Sequence, residues 1–181
     1  ALTKDYAERR ARFEVLQEMM QTKGNSETHP QLSPNDEFAD FGVQGWDNGN
    51  LTLQGVPTTP EMRPHMYLRS GLQQGLSQQQ LLGVNPFKFG FVGGTDVHNS
   101  LTAIEEDNFY GKHVSQEPNP HRLSETSTEG LGFTRFDWNY TAAGYAAVWA
   151  TENTREAIWD AMYRKETYAT SGSRMTLRFF G

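Results

Sequence analysis

Cysteine is absent from this sequence of 181 residues. Its absence excludes disulfide bonds, thiolate zinc sites and a cysteine nucleophile, and it leaves the redox compartment open, since such a chain suits either environment. Long apolar runs are absent too. The longest, residues 142–150 (AAGYAAVWA), falls far short of the about 18 apolar residues that a membrane helix needs. We therefore expect no membrane span.

Basic residues are scarce relative to acidic ones: 16 Lys and Arg stand against 22 Asp and Glu, a net charge of −6. Because Lys and Arg drive binding to phosphate backbones, this balance argues against nucleic acid or an anionic membrane as a partner.

The start of the chain lacks an initiator methionine and a signal-peptide pattern. We expect the chain to be a processed product or a piece of a longer protein.

Helical and strand patterns alternate along the chain, which predicts an α/β layer structure and a single domain over residues 1–181. Both an open sheet and an incomplete barrel satisfy this alternation. The capping box Ser77–Gln80 predicts a short helix closed by Gly83, and Asn153 with Glu156 predicts a second cap. The predicted helices cover residues 2–14, 65–76, 78–82 and 154–165, and the predicted strands cover residues 16–22, 87–93, 146–150 and 167–180.

A long Gly- and Pro-rich excursion runs from Asn25 to Pro60. Ser33-Pro34 is typical of a helix start, so we expect at most one short helix here. Structured loops of this length are usually functional or pack as lids.

The sharpest local motif is Gly93-Gly94-Thr95-Asp96-Val97-His98-Asn99, directly after the apolar strand pattern. In an extended backbone, residues two apart point to the same side, so Asp96 and His98 converge where α/β folds place their sites. A carboxylate and an imidazole suit a divalent metal such as Zn²⁺ or Mn²⁺. The alternative is that His98 caps a loop and Asp96 accepts from backbone amides, because this spacing is common and two ligands do not complete a site.

Four stretches of the chain resemble a family of uncharacterised bacterial proteins, labelled a domain of unknown function and assigned to the PHP (polymerase and histidinol phosphatase) superfamily of metal-dependent hydrolases. In chain order they are QTKGNSETHPQLSPNDEFADF (residues 21–41), YLRSGLQQGL (67–76), NPFKFGFVGGTDVHNSLTAIEEDNFYGK (85–112) and AVWATENTREAIWDAMYRKETYATSGSRM (147–175). The resemblance implies the C-terminal portion of a distorted (β/α) barrel of PHP type. It also implies two or three divalent metals at the ends of the strands.

The resemblance assigns roles to particular residues. The superfamily's last motif, an Asp-x-His that supplies two metal ligands, falls on Asp96 and His98. Glu27 lies where the family brings another polar group to the site, and we take it as a further ligand. Residue chemistry adds three candidates for substrate binding: His29, for which a surface position before Pro30 is the alternative; Lys23, which neutralises charge at the site or is simply exposed; and Arg174, which follows a Gly/Ser turn. Structural pairing is the alternative for Arg174.

The superfamily's opening His-x-His motif is missing from this sequence. We therefore expect a missing N-terminal segment, or a second chain, to complete the barrel and its site. The resulting function is part of a metal-dependent hydrolase, foremost a phosphoesterase, that uses zinc, manganese or iron to activate water against a small phosphorylated or ester substrate. The alternative is a non-catalytic binding or scaffolding domain that retains the fold. The compartment stays open, although export signals in the resembling family favour the periplasm or the exterior.

Overall fold

Three α-helices and seven short strands form the regular structure of the residues that the computed structural model describes, namely 2–43, 58–100, 106–108, 110–113, 117–128, 134–140 and 144–180. The helices are α1 (Lys4–Phe13), α2 (Leu68–Leu82) and α3 (Arg155–Tyr163), with 3₁₀ turns at Arg63–His65, Glu106–Asn108 and Asp137–Asn139. The strands are β1 (Leu16–Gln21), β2 (Gly24–Asn25), β3 (Gly90–Gly93), β4 (Thr126–Thr128), β5 (Arg135–Phe136), β6 (Ala146–Val148) and β7 (Thr167–Ala169).

Helix α1 confirms the first predicted helix. Thr3 caps it by accepting a hydrogen bond from the Tyr6 amide at 3.3 Å. Ala7 is fully buried, while Arg10 and Arg12 lie in the last turn, where positive charge complements the helix dipole. One small apolar side therefore packs inward and the charged side stays in solvent.

Helix α2 is one continuous helix, so the predicted separate helix over residues 78–82 is wrong. Ser77 lies in mid-helix, where its hydroxyl donates to the Gln73 carbonyl at 3.3 Å and does not cap a new start. Gly83 ends the helix as predicted, because its φ of 78° is a left-handed conformation that glycine adopts without steric cost.

The central sheet has the order β2-β1-β3. β1 and β2 form an antiparallel hairpin, and β1 and β3 pair in parallel from Leu16 opposite Gly90 to Met20 opposite Gly93. Helix α2 lies between them in the chain and supplies the crossover that parallel pairing requires. The predicted strand over residues 87–93 is thus confirmed, although its ladder begins only at Gly90.

Two smaller antiparallel sheets complete the described structure, β4 with β5 and β6 with β7. The β6–β7 pair packs against β3, where a Cβ added to Gly93 would come within 2.7 Å of the Tyr145 carbonyl oxygen. The last strand ends at Ala169, so residues 170–180 of the predicted strand have no sheet partner. This is a mixed α/β arrangement, and the PHP-type barrel remains a prediction.

The excursion is described in part. Residues 29–42 form successive turns without a helix after Ser33, which agrees with the expectation of at most one short helix there. Residues 44–57 lie outside the described residues.

In the described part of the chain, no helix combines the length and the apolar character that crossing a membrane demands.

The described core is small. Its buried apolar residues are Ala7, Met20, Ala39, Val43, Tyr67, Tyr140 and Ala161. Many large apolar side chains instead face solvent, and the most exposed are Phe179, Leu123, Phe180, Leu81 and Phe38. Much of the apolar surface is therefore open for contact with other polypeptide.

Candidate functional site

The loop that carries Asp96 and His98 extends the central sheet beyond its strands. The Gly94 amide donates to the Met20 carbonyl at 2.9 Å, and the Thr22 amide donates to the Thr95 carbonyl at 3.2 Å. Parallel pairing of β1 and β3 thus continues to the residue before Asp96. The structure therefore places the motif at the carboxyl ends of two adjacent parallel strands, where α/β folds position their sites.

Two lysines meet the Asp96 carboxylate. Lys23, in the two-residue turn between β1 and β2, forms an ion pair with Oδ2. Lys112 donates to the same Oδ2 at 2.5 Å and to the Asp96 main-chain oxygen at 2.6 Å. Two ammonium groups therefore share one carboxylate, which leaves an excess of positive charge. Instead of the backbone amides that the alternative interpretation predicted, ammonium groups satisfy Asp96 in the described part of the chain.

The ionisation of this cluster follows from its burial and its charges. Burial alone opposes ionisation of Asp96, but the hydrogen bonds and charges of Lys112 and Lys23 outweigh it and lower the pKa of Asp96. Burial also lowers the pKa of Lys112, which is only 6% exposed. Repulsion from Lys23 lowers this pKa as well, whereas the hydrogen bond to Asp96 raises it. Asp96 is consequently held as a carboxylate, the form that binds cations.

His98 is oriented by its own loop. Its Nδ1 lies 2.7 Å from the Asp96 main-chain oxygen, and its amide donates to the Lys112 carbonyl at 2.7 Å. The Asp96 carbonyl oxygen can only accept, whereas the Lys112 ammonium, 3.2 Å from the same Nδ1, can only donate, so these two neighbours favour opposite tautomers of the ring. The other ring nitrogen, Nε2, lies 3.8 Å from Asp96 Oδ1.

His113 joins the cluster, although nothing in its sequence surroundings singled it out. Its ring centroid lies 4.9 Å from that of His98. Burial lowers the pKa of His113, and the charges of His98 and Lys112 lower it further. Lys112 and His113 lie 16 or more residues after Asp96 in the sequence, and only the structure shows that residues 110–113 lie at the end of β3.

The geometry of Asp96 and His98 suits a shared divalent metal. Bonds from zinc to carboxylate oxygen and imidazole nitrogen are each about 2.0–2.2 Å. Two donor atoms can share an ion when their separation is less than the sum of two such bonds, and the 3.8 Å between Oδ1 and Nε2 meets that condition. The Asp96 carbonyl beside Nδ1 is the kind of support that ligating histidines commonly have. This separation and this support would allow both residues to hold one metal.

A complete ligand set is not present in the described residues. Within those ranges, no three His, Asp or Glu side chains are arranged so that they could hold a metal ion. Asp96 and His98 would supply two ligands, whereas a zinc site uses three or four. The remaining ligands would have to come from water, substrate or other polypeptide.

Glu27, predicted as a third ligand, lies in a different cluster. Its Oε1 accepts from Arg69 Nε at 2.9 Å and from Arg69 Nη2 at 2.5 Å. Arg69 Nη1 also donates to Asp36 Oδ2 at 2.6 Å. The carboxylate of Glu27 thus fastens the start of α2 to the turn after β2, and its role as a metal ligand stays a prediction.

The predicted substrate-binding residues are dispersed. Lys23 belongs to the Asp96 cluster. His29 packs against the ring of Tyr67 at a centroid distance of 5.6 Å, and its Nδ1 accepts from a nearby amide. Arg174 donates to the Tyr145 hydroxyl at 3.1 Å, the structural pairing that was the alternative for this residue. Tyr145 packs on Gly93, so Arg174 is linked to the end of β3 only indirectly.

Comparison with known proteins identifies one family. The profile of the family described as "Protein of unknown function (DUF3604)" matches residues 1–181, the full length of the chain. No curated protein and no solved structure matches significantly.

Proposed function

The chain belongs to the family described as "Protein of unknown function (DUF3604)", and we propose that it forms part of a metal-dependent hydrolase, foremost a phosphoesterase, with a small phosphorylated or other anionic ester as substrate. One observation carries the proposal. Asp96 Oδ1 and His98 Nε2 lie 3.8 Å apart at the end of β3, while two lysines hold the other carboxylate oxygen. A pair of metal ligands beside an excess of positive charge suits a metal and an anion together.

Each residue of the cluster has a role in this proposal. When bound, a divalent ion lowers the pKa of a coordinated water towards neutrality and polarises the phosphoryl oxygen. Asp96 contributes an anionic oxygen that its two lysines keep ionised. His98 would contribute Nε2, the ring nitrogen on the side of Asp96 Oδ1. Zinc, manganese and iron all accept this combination of oxygen and nitrogen ligands.

Lys23 is the proposed contact for the anionic group of the substrate. Its ammonium reaches Asp96 from the tip of the β1–β2 hairpin, and its side chain is 17% exposed. Lys112 is more deeply buried, so Lys23 is the ammonium that a ligand meets first. Placing the metal and Lys23 on either side of Asp96 would bring the phosphoryl oxygens between two positive charges.

Other polypeptide is proposed to complete the site and the PHP-type barrel. The described residues supply only two ligands at Asp96, and large apolar side chains such as Phe179 and Phe180 are 88% and 80% exposed. A further segment of the natural protein, or a second chain, would cover this surface and bring the missing ligands. Exposed apolar surface of this kind favours association.

The test compares metal content and hydrolysis in the whole natural polypeptide. Purified wild type, Asp96→Ala and His98→Ala are assayed for bound zinc, manganese and iron, and for hydrolysis of p-nitrophenyl phosphate. We expect both variants to lose metal and activity at least 100-fold, while His121→Ala, a change at an exposed histidine, keeps both. Full metal and full activity in both site variants would overturn the assignment.

A non-catalytic binding domain is the second candidate, favoured by the two lysines that already neutralise Asp96. On this interpretation the cluster is a structural ion-pair network, and the excursion forms the binding surface. The same assay separates the two functions. A wild-type protein that binds no metal and hydrolyses no ester, yet unfolds cooperatively, belongs to the second class.

A further inference from the structure

Lys112 contacts both predicted metal ligands, Asp96 and His98. Its ammonium lies 2.5 Å from Asp96 Oδ2, 2.6 Å from the Asp96 main-chain oxygen and 3.2 Å from His98 Nδ1. Its own carbonyl accepts the His98 amide at 2.7 Å. We infer that Lys112 is a positioning residue that sets the conformation of both metal ligands, an inference that rests on the proposed function.

The conformation of Asp96 requires such support. Its φ of 51° is left-handed, which costs free energy in every residue that carries a Cβ, although Asp tolerates it better than most. One ammonium binds the main-chain oxygen and the side-chain Oδ2 of Asp96 together. This double contact fixes the backbone and the carboxylate relative to each other, and Oδ1 is turned towards His98 as a result.

The orientation of His98 depends on the same residue. The imidazole is held by the Asp96 carbonyl, whose position Lys112 fixes, and the His98 amide is held by the Lys112 carbonyl. Asn99 strengthens this pairing through a hydrogen bond from Nδ2 to the Gly111 carbonyl at 3.1 Å. The loop after β3 is therefore shaped by the segment at residues 110–112, and the surroundings of His98 Nδ1 are set by the Asp96 carbonyl and the Lys112 ammonium together.

Burial distinguishes the two lysines. Lys112 has a side chain only 8% exposed, against 17% for Lys23. An enclosed side chain has little freedom to move with a bound substrate, but it can hold Asp96 and His98 in one arrangement. Lys112 accordingly acts through Asp96 and His98, and it does not itself contact the substrate.

The experiment measures zinc affinity and the state of the His98 ring in the natural polypeptide. Zinc titration calorimetry is run on wild type, Lys112→Met, Lys112→Arg and the exposed control Lys88→Met, at a temperature at which each is fully folded. We expect Lys112→Met to weaken zinc binding about 10–100-fold, the usual effect of losing a residue that supports metal ligands. Lys112→Arg should recover part of the affinity, and Lys88→Met should match wild type.

The ¹⁵N chemical shifts of the His98 ring in metal-free protein give a second result. Lys112→Met removes the donor that faces Nδ1 and leaves the Asp96 carbonyl as its neighbour, so the ring should shift towards the Nδ1–H tautomer relative to wild type. Unchanged zinc affinity with an unchanged tautomer would overturn the inference. If Lys112→Met does not fold, the same two measurements on Lys112→Arg decide, and wild-type values there overturn it. If wild type binds no zinc, the proposed function fails, and the tautomer comparison alone decides the role of Lys112.

Discussion

Lys23 and Asp96 form an ion pair across 73 residues of sequence. The lysine is brought there by the tight turn between β1 and β2, and the aspartate by the loop after β3. Because β1 and β3 are hydrogen-bonded neighbours, a turn at the end of one strand meets a loop at the end of the other. The pair is thus a direct product of parallel sheet topology.

Replacement of Lys23 by Met should weaken binding of an anionic substrate. The change removes an ammonium from the cluster and leaves Lys112 to hold Asp96. A hydrogen bond to a charged group is worth about 1.5–3 kcal/mol, so we expect KM for p-nitrophenyl phosphate to rise about tenfold or more. Steady-state kinetics at constant ionic strength measure this. A Lys23→Met enzyme with wild-type KM would remove Lys23 from substrate binding.

The two glycines after β3 should differ sharply in their tolerance of a methyl group. A Cβ at Gly93 would lie 2.7 Å from the Tyr145 carbonyl oxygen, whereas one at Gly94 meets only the Glu18 side chain, at 3.5 Å. We expect Gly93→Ala to lose about 1–3 kcal/mol of unfolding free energy by overpacking, and Gly94→Ala to lose less than about 0.5 kcal/mol. Urea unfolding compares them, and equal stabilities would contradict the close approach of β6 to β3.

Asp137 should destabilise the protein at neutral pH. Its Oδ1 is buried with no hydrogen-bond partner in the described residues. Burial raises the pKa of Asp137, the charge of Glu125 raises it further, and the charge of Arg122 lowers it. A raised carboxyl pKa means that the folded state binds the proton more tightly, so its stabilising contribution is full at low pH and is lost as pH rises through the folded pKa.

The variant Asp137→Asn should therefore be more stable than wild type at pH 7, by about 1 kcal/mol, the scale of one buried unsatisfied group. The advantage should shrink as pH falls towards the ordinary pKa of Asp and below it. Thermal unfolding from pH 4 to pH 8 tests this dependence. An advantage that grows on acidification would reverse the sign of the argument.

Thr154, and not Asn153, should cap helix α3. The Thr154 hydroxyl oxygen accepts from the Ala157 amide at 3.3 Å, and the helix begins at Arg155. Removing such a cap costs about 1 kcal/mol, so Thr154→Ala should lower the midpoint of urea unfolding. Asn153→Ala, one residue earlier, serves as the control and should leave the midpoint nearly unchanged.

Local patterns predicted much of the fold. Helix α1 and strands β1 and β3 lie where composition and periodicity indicated, because each has local signals at its ends. The cap of α3 was displaced by one residue, since Asn153 and Thr154 both suit a helix start and sequence alone does not choose between them. Ser77 was misleading for a related reason: a hydroxyl inside a helix can bond to its own preceding turn.

The sequence predicted only part of the candidate site. Asp96 and His98 were identified by their spacing directly after a strand pattern, because this signal lies within seven consecutive residues. Lys112 has no such context, because it contacts Asp96 from 16 residues away in the sequence. Glu27 lies near Asp36 and Arg69 through contacts that connect a turn with a helix start, which no local pattern encodes.

The loop after β3 remains hydrogen-bonded to β1 through Gly94 and Thr95, so its main chain is anchored up to residue 95 without help from the side chains at residues 96 and 98. Exchange of those two side chains would therefore leave the sheet and its last hydrogen bonds in place. On the proposed function, such a scaffold would acquire a different ion preference, or a different reaction, through a few substitutions at the loop and none in the sheet.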